Sequence, residues 1–161
     1  MSAPESTTSA KTQLRLLGEE TIYTAKGHFK ACDLRRISMR FTIWLCALLN
    51  LLGVFDLGNP ASRIIAAIAL FGTIALLIWN EGEGKSYRQR HREAAEAYLA
   101  LHKEIRYAYH TETITEEDVR VLSQKVIAQD GATRPDIPWL ARKWAQKAIS
   151  QHNETNNWFI Q

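Results

Sequence analysis

Residues 41–55 read FTIWLCALLNLLGVF, fifteen residues without a charge, ended by Asp56 and carrying one asparagine, Asn50. That length lies between a buried core helix and a membrane span. A second run decides the reading. Residues 64–80, IIAAIALFGTIALLIWN, are seventeen more without a charge. At about 1.5 Å per residue the second run covers roughly 26 Å, close to a hydrocarbon core of about 30 Å. Both runs lengthen at their ends, through Ile37 and Met39 across Arg40 and through Ala61 and Ser62 across Arg63. A long arginine stem can carry its charge outward to the headgroups. Trp44 and Trp79 suit the membrane interface.

Between the runs, Gly58, Asn59 and Pro60 signal a tight turn. Two helices joined so closely are antiparallel neighbours, so the sequence predicts a two-span helical hairpin. Basic residues gather on its outer flanks: Lys26, Lys30, Arg35, Arg36 and Arg40 before it, and Lys85, Arg88, Arg90 and Arg92 after it. The turn holds only Arg63. By the positive-inside rule both termini are expected in the cytoplasm, with the hairpin in the inner membrane.

The chain of 161 residues has a net charge of +3 and a mean hydropathy of −0.24, averages that conceal this block. A soluble domain spreads its apolar residues over all its elements. Cys32 and Cys46 form no C-x-x-C, which points to neither a disulfide framework nor a zinc site. The opening MSAPESTTSA lacks the basic and apolar parts of a secretory signal, so the internal block is expected to direct insertion.

Beyond the second run, Tyr87, His91, Ala94, Tyr98, Leu101, Ile105 and Ala108 alternate steps of four and three, the seam of a helix packed lengthwise on another. Ile22, Ala25, Phe29, Cys32, Arg36 and Met39 alternate likewise before the first run. Both segments are expected to continue the spans into a cytosolic bundle. Gly82 and Gly84 interrupt the second helix and mark a hinge at the membrane surface. Thr115 with Asp118 starts a helix whose buried face is Val119, Leu122 and Val126, and Asp130-Gly131 stops it. A last helix starts between Asp136 and Pro138, with Trp139, Leu140, Trp144, Ala148 and Ile149 available for burial. The expected organisation is therefore all-α: a flexible 1–13, an amphipathic helix 14–40, spans 41–57 and 64–80 around a turn 58–63, a heptad helix 85–110, and a helical cap with an irregular tail over 115–161. The sequon at Asn153 would carry no meaning in the cytoplasm.

The order of AKGHFKACDLRRI, two spans around a tight turn, and SYRQRHREAAEAYLALHKEI resembles the SLATT family, the SMODS- and SLOG-associating two-transmembrane effectors. The resemblance rests on Ala25, His28, Phe29, Lys30 and Arg35 before the hairpin. After it, His91, Arg92, Ala95, Tyr98, Leu101, Glu104 and Ile105 carry it. It covers roughly residues 20–110. It implies a membrane effector of prokaryotic anti-phage conflict systems that forms pores or disrupts the membrane, causing death or arrest, when a partner sensor fires. Unlike fused family members, this chain carries no nucleotide-sensing or nucleotide-synthesising domain, so its trigger is expected from a separate protein or a nucleotide signal.

The residues themselves point to no enzyme: no catalytic set, cofactor site or metal site is expected. His28 and Cys32 have ligand-compatible spacing, but two ligands do not close a site, and the simpler reading is a packed cysteine beside a surface histidine. His91, on the seam, fits packing or an interhelical hydrogen bond better than proton transfer. Lys85, Arg88, Arg90 and Arg92 fit anionic lipid, or an anionic ligand if one binds; no nucleic acid is expected. Function is expected in the spans. Cys46, Asn50 and Gly53 share one helical face, and Thr73 lies in the second span, where Ala66, Ala69 and Gly72 permit close helix approach. Asn50 should face either a partner helix or water. One hairpin cannot enclose a channel, so a pore requires a homo-oligomer. The alternative is a membrane-anchored scaffold whose cytosolic bundle recruits a partner protein.

Overall fold

A computed structural model describes residues 3–55, 59–111, 114–131 and 134–152. No strand occurs among them. The helices are α1 (Ala3–Phe55), α2 (Pro60–Trp79), α3 (Lys85–Tyr109), α4 (Glu116–Gly131) and α5 (Trp139–His152), with a π-helical turn at Asn80–Gly84 between α2 and α3. The chain divides into two compact units. One comprises Met1–Ala31 and Arg90–Gln161, the other Cys32–Gln89.

The first unit packs Ala10 and Leu14 of α1 with Ile105 of α3, Ile114, and Val119, Leu122 and Val126 of α4. Leu17, Leu101, Ala108 and Tyr109 close round this core. Helix α1 therefore reaches back through residues expected to be flexible, because Ala10 and Leu14 are anchored apolar positions one turn apart. Helix α4 starts as its sequence suggests. The Thr115 amide donates to the Asp118 carboxylate at 3.0 Å and the Asp118 amide donates to Thr115 Oγ1 at 3.2 Å, a reciprocal cap. Helix α5 buries Ala141 and Ala145, small residues that let it approach closely. Its Arg142 carbonyl accepts from the Tyr23 hydroxyl at 3.4 Å, and Ile137 lies so near Gly27 that a Cβ there would sit 3.0 Å away. Trp139, expected to be available for burial, is 69% exposed, because it lies off the Ala141/Ala145 stripe. The tail with its Asn153 sequon, and Gly58 of the turn, lie outside the described residues.

In the second unit Asn59 caps α2, its side-chain oxygen accepting from the Ala61 amide at 3.0 Å, and Pro60 occupies the first turn. Residues 60–63, expected in the turn, are therefore helical. Helices α1 and α2 touch where a Cβ on Gly53 would collide with that of Ala66 and lie 3.0 Å from the Ser62 carbonyl oxygen. Both contain stretches long and apolar enough to cross a membrane. Only 11% and 6% of the residues in those stretches are buried. Trp44, Leu48, Leu52, Phe55, Ile64, Ile68, Phe71 and Ile78 are all exposed.

The expected glycine interruption takes a different form. The chain stays helical through Gly82 and Gly84 by widening into the π turn, and the Trp79 indole donates to the Glu83 carboxylate across it. The turn has a geometric effect. Eight residues of α-helix rotate about 800°, leaving Trp79 and Tyr87 roughly 80° out of phase. One residue absorbed in a π bulge removes about 100° and returns them to one face. The guanidinium of Arg35 meets both, 4.6 Å from the Trp79 ring centroid and 5.9 Å from that of Tyr87.

Candidate functional site

Within the second unit, Cys46 and Asn50 are half-buried and Gly53 is buried along one face of α1. On α2, Ala69 is buried and Ala66, Gly72 and Thr73 are half-buried. Asn50 makes one hydrogen bond within its own helix: Nδ2 donates to the Cys46 carbonyl at 2.9 Å. Thr73 does the same, donating to Ala69 at 2.8 Å. Back-bonding of this kind satisfies the Thr73 hydroxyl hydrogen and one Asn50 amide hydrogen within the helix. Of the three residues expected to give close packing, Ala66 meets Gly53 directly, whereas a Cβ on Gly72 would meet nothing within 4 Å.

Arg90 and Arg92 are exposed, and Arg92 pairs with Glu96 at 2.8 Å on the same helix. Arg88 is half-buried, and its backbone carbonyl accepts from the Cys32 thiol at 3.5 Å. The Lys85 side chain lies outside the described set. The charged residue on the α1 seam is Arg35, half-buried with its Nε enclosed; Arg36, the expected seam member, is exposed.

The first unit holds a polar cluster. His28 of α1 and His91 of α3 are fully buried, with their Nδ1 atoms 2.9 Å apart. His28 is thus no surface residue. Its ring stacks on Tyr98 at a centroid distance of 6.0 Å and an interplanar angle of 17°. The Tyr98 hydroxyl donates to Asp130 and accepts from Arg134, and Arg134 pairs with Asp130 at 2.7 Å. Farther along α3, buried His102 places Nδ1 3.1 Å from the Gly18 carbonyl, so that nitrogen carries the hydrogen. Thr21 Oγ1, also buried, donates back to the carbonyls of Leu17 and Gly18.

Electrostatics follow from this burial. Desolvation, then the facing His91 and then Arg134 push His28 down to about 4. Desolvation and then Arg90 push His91 down to about 4. Burial lowers His102 as well, against the opposing bond to Gly18. Burial and the bond to Asp130 push the Tyr98 phenol up to about 12. The cluster is neutral imidazole and phenol around a single carboxylate–guanidinium pair.

The sequence anticipates His91 on the seam but not His28. The signal was present: Thr21, His28 and Arg35 repeat every seven residues, in step with Ala25, Cys32 and Met39. Preference for apolar residues selects the neighbouring register of Ile22, Phe29 and Arg36 instead. Among the described residues, no group of three or more His, Cys, Asp or Glu side chains is placed to hold a metal ion. No family model matches the chain, and neither the curated proteins nor the solved structures yield a match.

Proposed function

We propose that the protein is an inner-membrane effector whose two spans form a hairpin with both termini in the cytoplasm, and that it oligomerises and permeabilises the membrane when a separate sensor protein or nucleotide signal triggers it. The observation that carries the membrane reading is the uncovered apolar surface of α1 and α2. Trp44, Phe55 and Phe71 are 75%, 80% and 71% exposed, and each would need lipid or another copy to cover it. A monomeric soluble protein rarely exposes an apolar patch beyond a few hundred Å². The flanking basic residues support the orientation, and the weakly polar face of Cys46, Asn50, Gly53 and Thr73 supports a role for the spans beyond anchoring. The resemblance to SLATT effectors supports the trigger and the outcome.

Expression in a bacterial host with a potential-sensitive dye tests this reading. Depolarisation that depends on the trigger supports it, and an unchanged potential with the cognate partner active overturns it.

The scaffold reading draws support from the first unit, where Tyr107 and Val121 line one groove and Leu16 and Ile127 line another. Exchanging the two spans for an unrelated hairpin separates the readings: a scaffold keeps its function, and an effector that acts through its spans loses it.

A further inference from the structure

Two buried imidazoles bonded to each other form a proton-binding site with a built-in limit. With both rings neutral, one Nδ1 carries a hydrogen and the other accepts it, and 2.9 Å is an ordinary length for such a bond. The limit is reached when both rings are protonated. Each Nδ1 then carries a hydrogen, no acceptor remains between them, and two positive charges face each other across the former bond.

Several groups beside the pair disfavour this charge. From α3, Tyr98 stacks on His28 as a neutral phenol and Arg90 stands beside His91 as a cation. Arg134, ahead of α5, adds another cation near His28. From the α5 side, the group against Gly27 is apolar Ile137. The carboxylate of the cluster, Asp130 of α4, is engaged by Tyr98 and Arg134. Among the described residues His28 Nε2 is buried with no hydrogen-bond partner, so a proton arriving there gains no acceptor from them.

We propose that the His28–His91 pair is an acid sensor that clasps α1 to α3 within the first unit while its rings are neutral and releases them once both are protonated. The ligand is the proton, and the response is loss of helix–helix contact around residues 21–31 and 90–102. The sign follows from the depressed folded-state values. An unfolded histidine charges below about 6.5, so the clasp is fully present above that pH and is lost as pH falls toward the folded value of about 4. This inference does not depend on the spans forming a pore.

The test is hydrogen exchange, corrected for intrinsic rates, on the full chain in detergent micelles from about pH 7.5 to about pH 4.5. Protection in segments 21–31 and 90–102 should fall by at least about tenfold across that range in the wild type. His28→Gln/His91→Gln, which keeps polar groups but cannot titrate, should flatten the response, whereas His102→Gln should leave it intact. Because the double variant risks misfolding, the ring nitrogens of labelled wild-type histidines give a second readout. Two imidazoles still neutral near pH 5 and coupled through a shared hydrogen are expected. Ordinary titration near pH 6.5, a response that survives in a folded double variant, or one abolished by His102→Gln would each overturn the proposal.

Discussion

Arg35 lies over Trp79, its guanidinium carbon 4.6 Å from the indole centroid, and the π turn is what lets Tyr87 reach the same guanidinium. If the turn serves to absorb one residue, removing that residue should be harmless. Deleting Gly82 shortens the Trp79–Tyr87 spacing to an ordinary two-turn interval of roughly 700°. We expect the deletion to melt within about 3 °C of the wild type in detergent, a shift of no more than about 1 kcal/mol. Inserting an alanine beside Gly82 should cost far more. Melting followed by tryptophan fluorescence measures both, and a deletion that unfolds the protein counts against this account of the turn.

Arg35 also offers a chemical test. Arg35→Lys keeps the charge but loses the flat face that stacks on both rings. The expected cost is about 0.5–2 kcal/mol, read by the same melting experiment and reduced when Trp79→Leu is already present. Additive losses in the two variants would show that the stacking contributes nothing.

Gly53 and Ala66 leave no room for a further methyl group. Gly53→Ala should destabilise the α1–α2 contact by about 1–3 kcal/mol through overpacking. Ala66→Gly in the same chain should restore most of the loss. Rescue at that second site, measured by thermal stability in micelles, separates a steric cause from a general effect on helix propensity.

Asn50 donates to the carbonyl one turn behind it, so Asn50→Leu removes a polar group without breaking a bond between helices. Membrane insertion and yield should be unchanged. If Asn50 contributes to permeabilisation, triggered depolarisation should slow several-fold. Equal rates in the variant would remove Asn50 from the mechanism.

Tyr98→Phe deletes the hydroxyl that joins Asp130 and Arg134 but leaves that ion pair and the stack on His28 in place. A hydrogen bond to a charged group is worth about 1.5–3 kcal/mol, so chemical denaturation should show a loss of that order. A loss below about 0.5 kcal/mol would show the network to be dispensable.

Where apolar periodicity decided the matter, the fold was legible in the sequence. The seam of α3 runs through His91, Ala94, Tyr98 and Ile105 as the alternating steps suggest, and the Thr115–Asp118 cap and the Val119, Leu122 and Val126 face are in place. The seam of α1 is offset at alternate positions. Ala25 and Met39 belong to it and Ile22 is buried beside Thr21, but His28 takes the place given to Phe29. A buried polar residue makes sense only beside its partner, and the partner of His28 lies sixty-three residues away. Local pattern cannot supply that pairing. Trp139 failed in the opposite direction, since its size suggested burial while two alanines took the contact.

The π turn also has a mechanical consequence. A bulge of this kind is one surplus residue in an otherwise regular screw, and the surplus has no fixed address. If it moved along the helix past Tyr87, that ring would swing by about a quarter of a revolution and leave Arg35, with no helix broken and only a local exchange of backbone partners. The bond from Trp79 to Glu83 ties the end of α2 into the turn and opposes that migration. Asn80–Gly84 thus acts as a phase-setter: where the surplus residue sits decides which way every ring beyond it points.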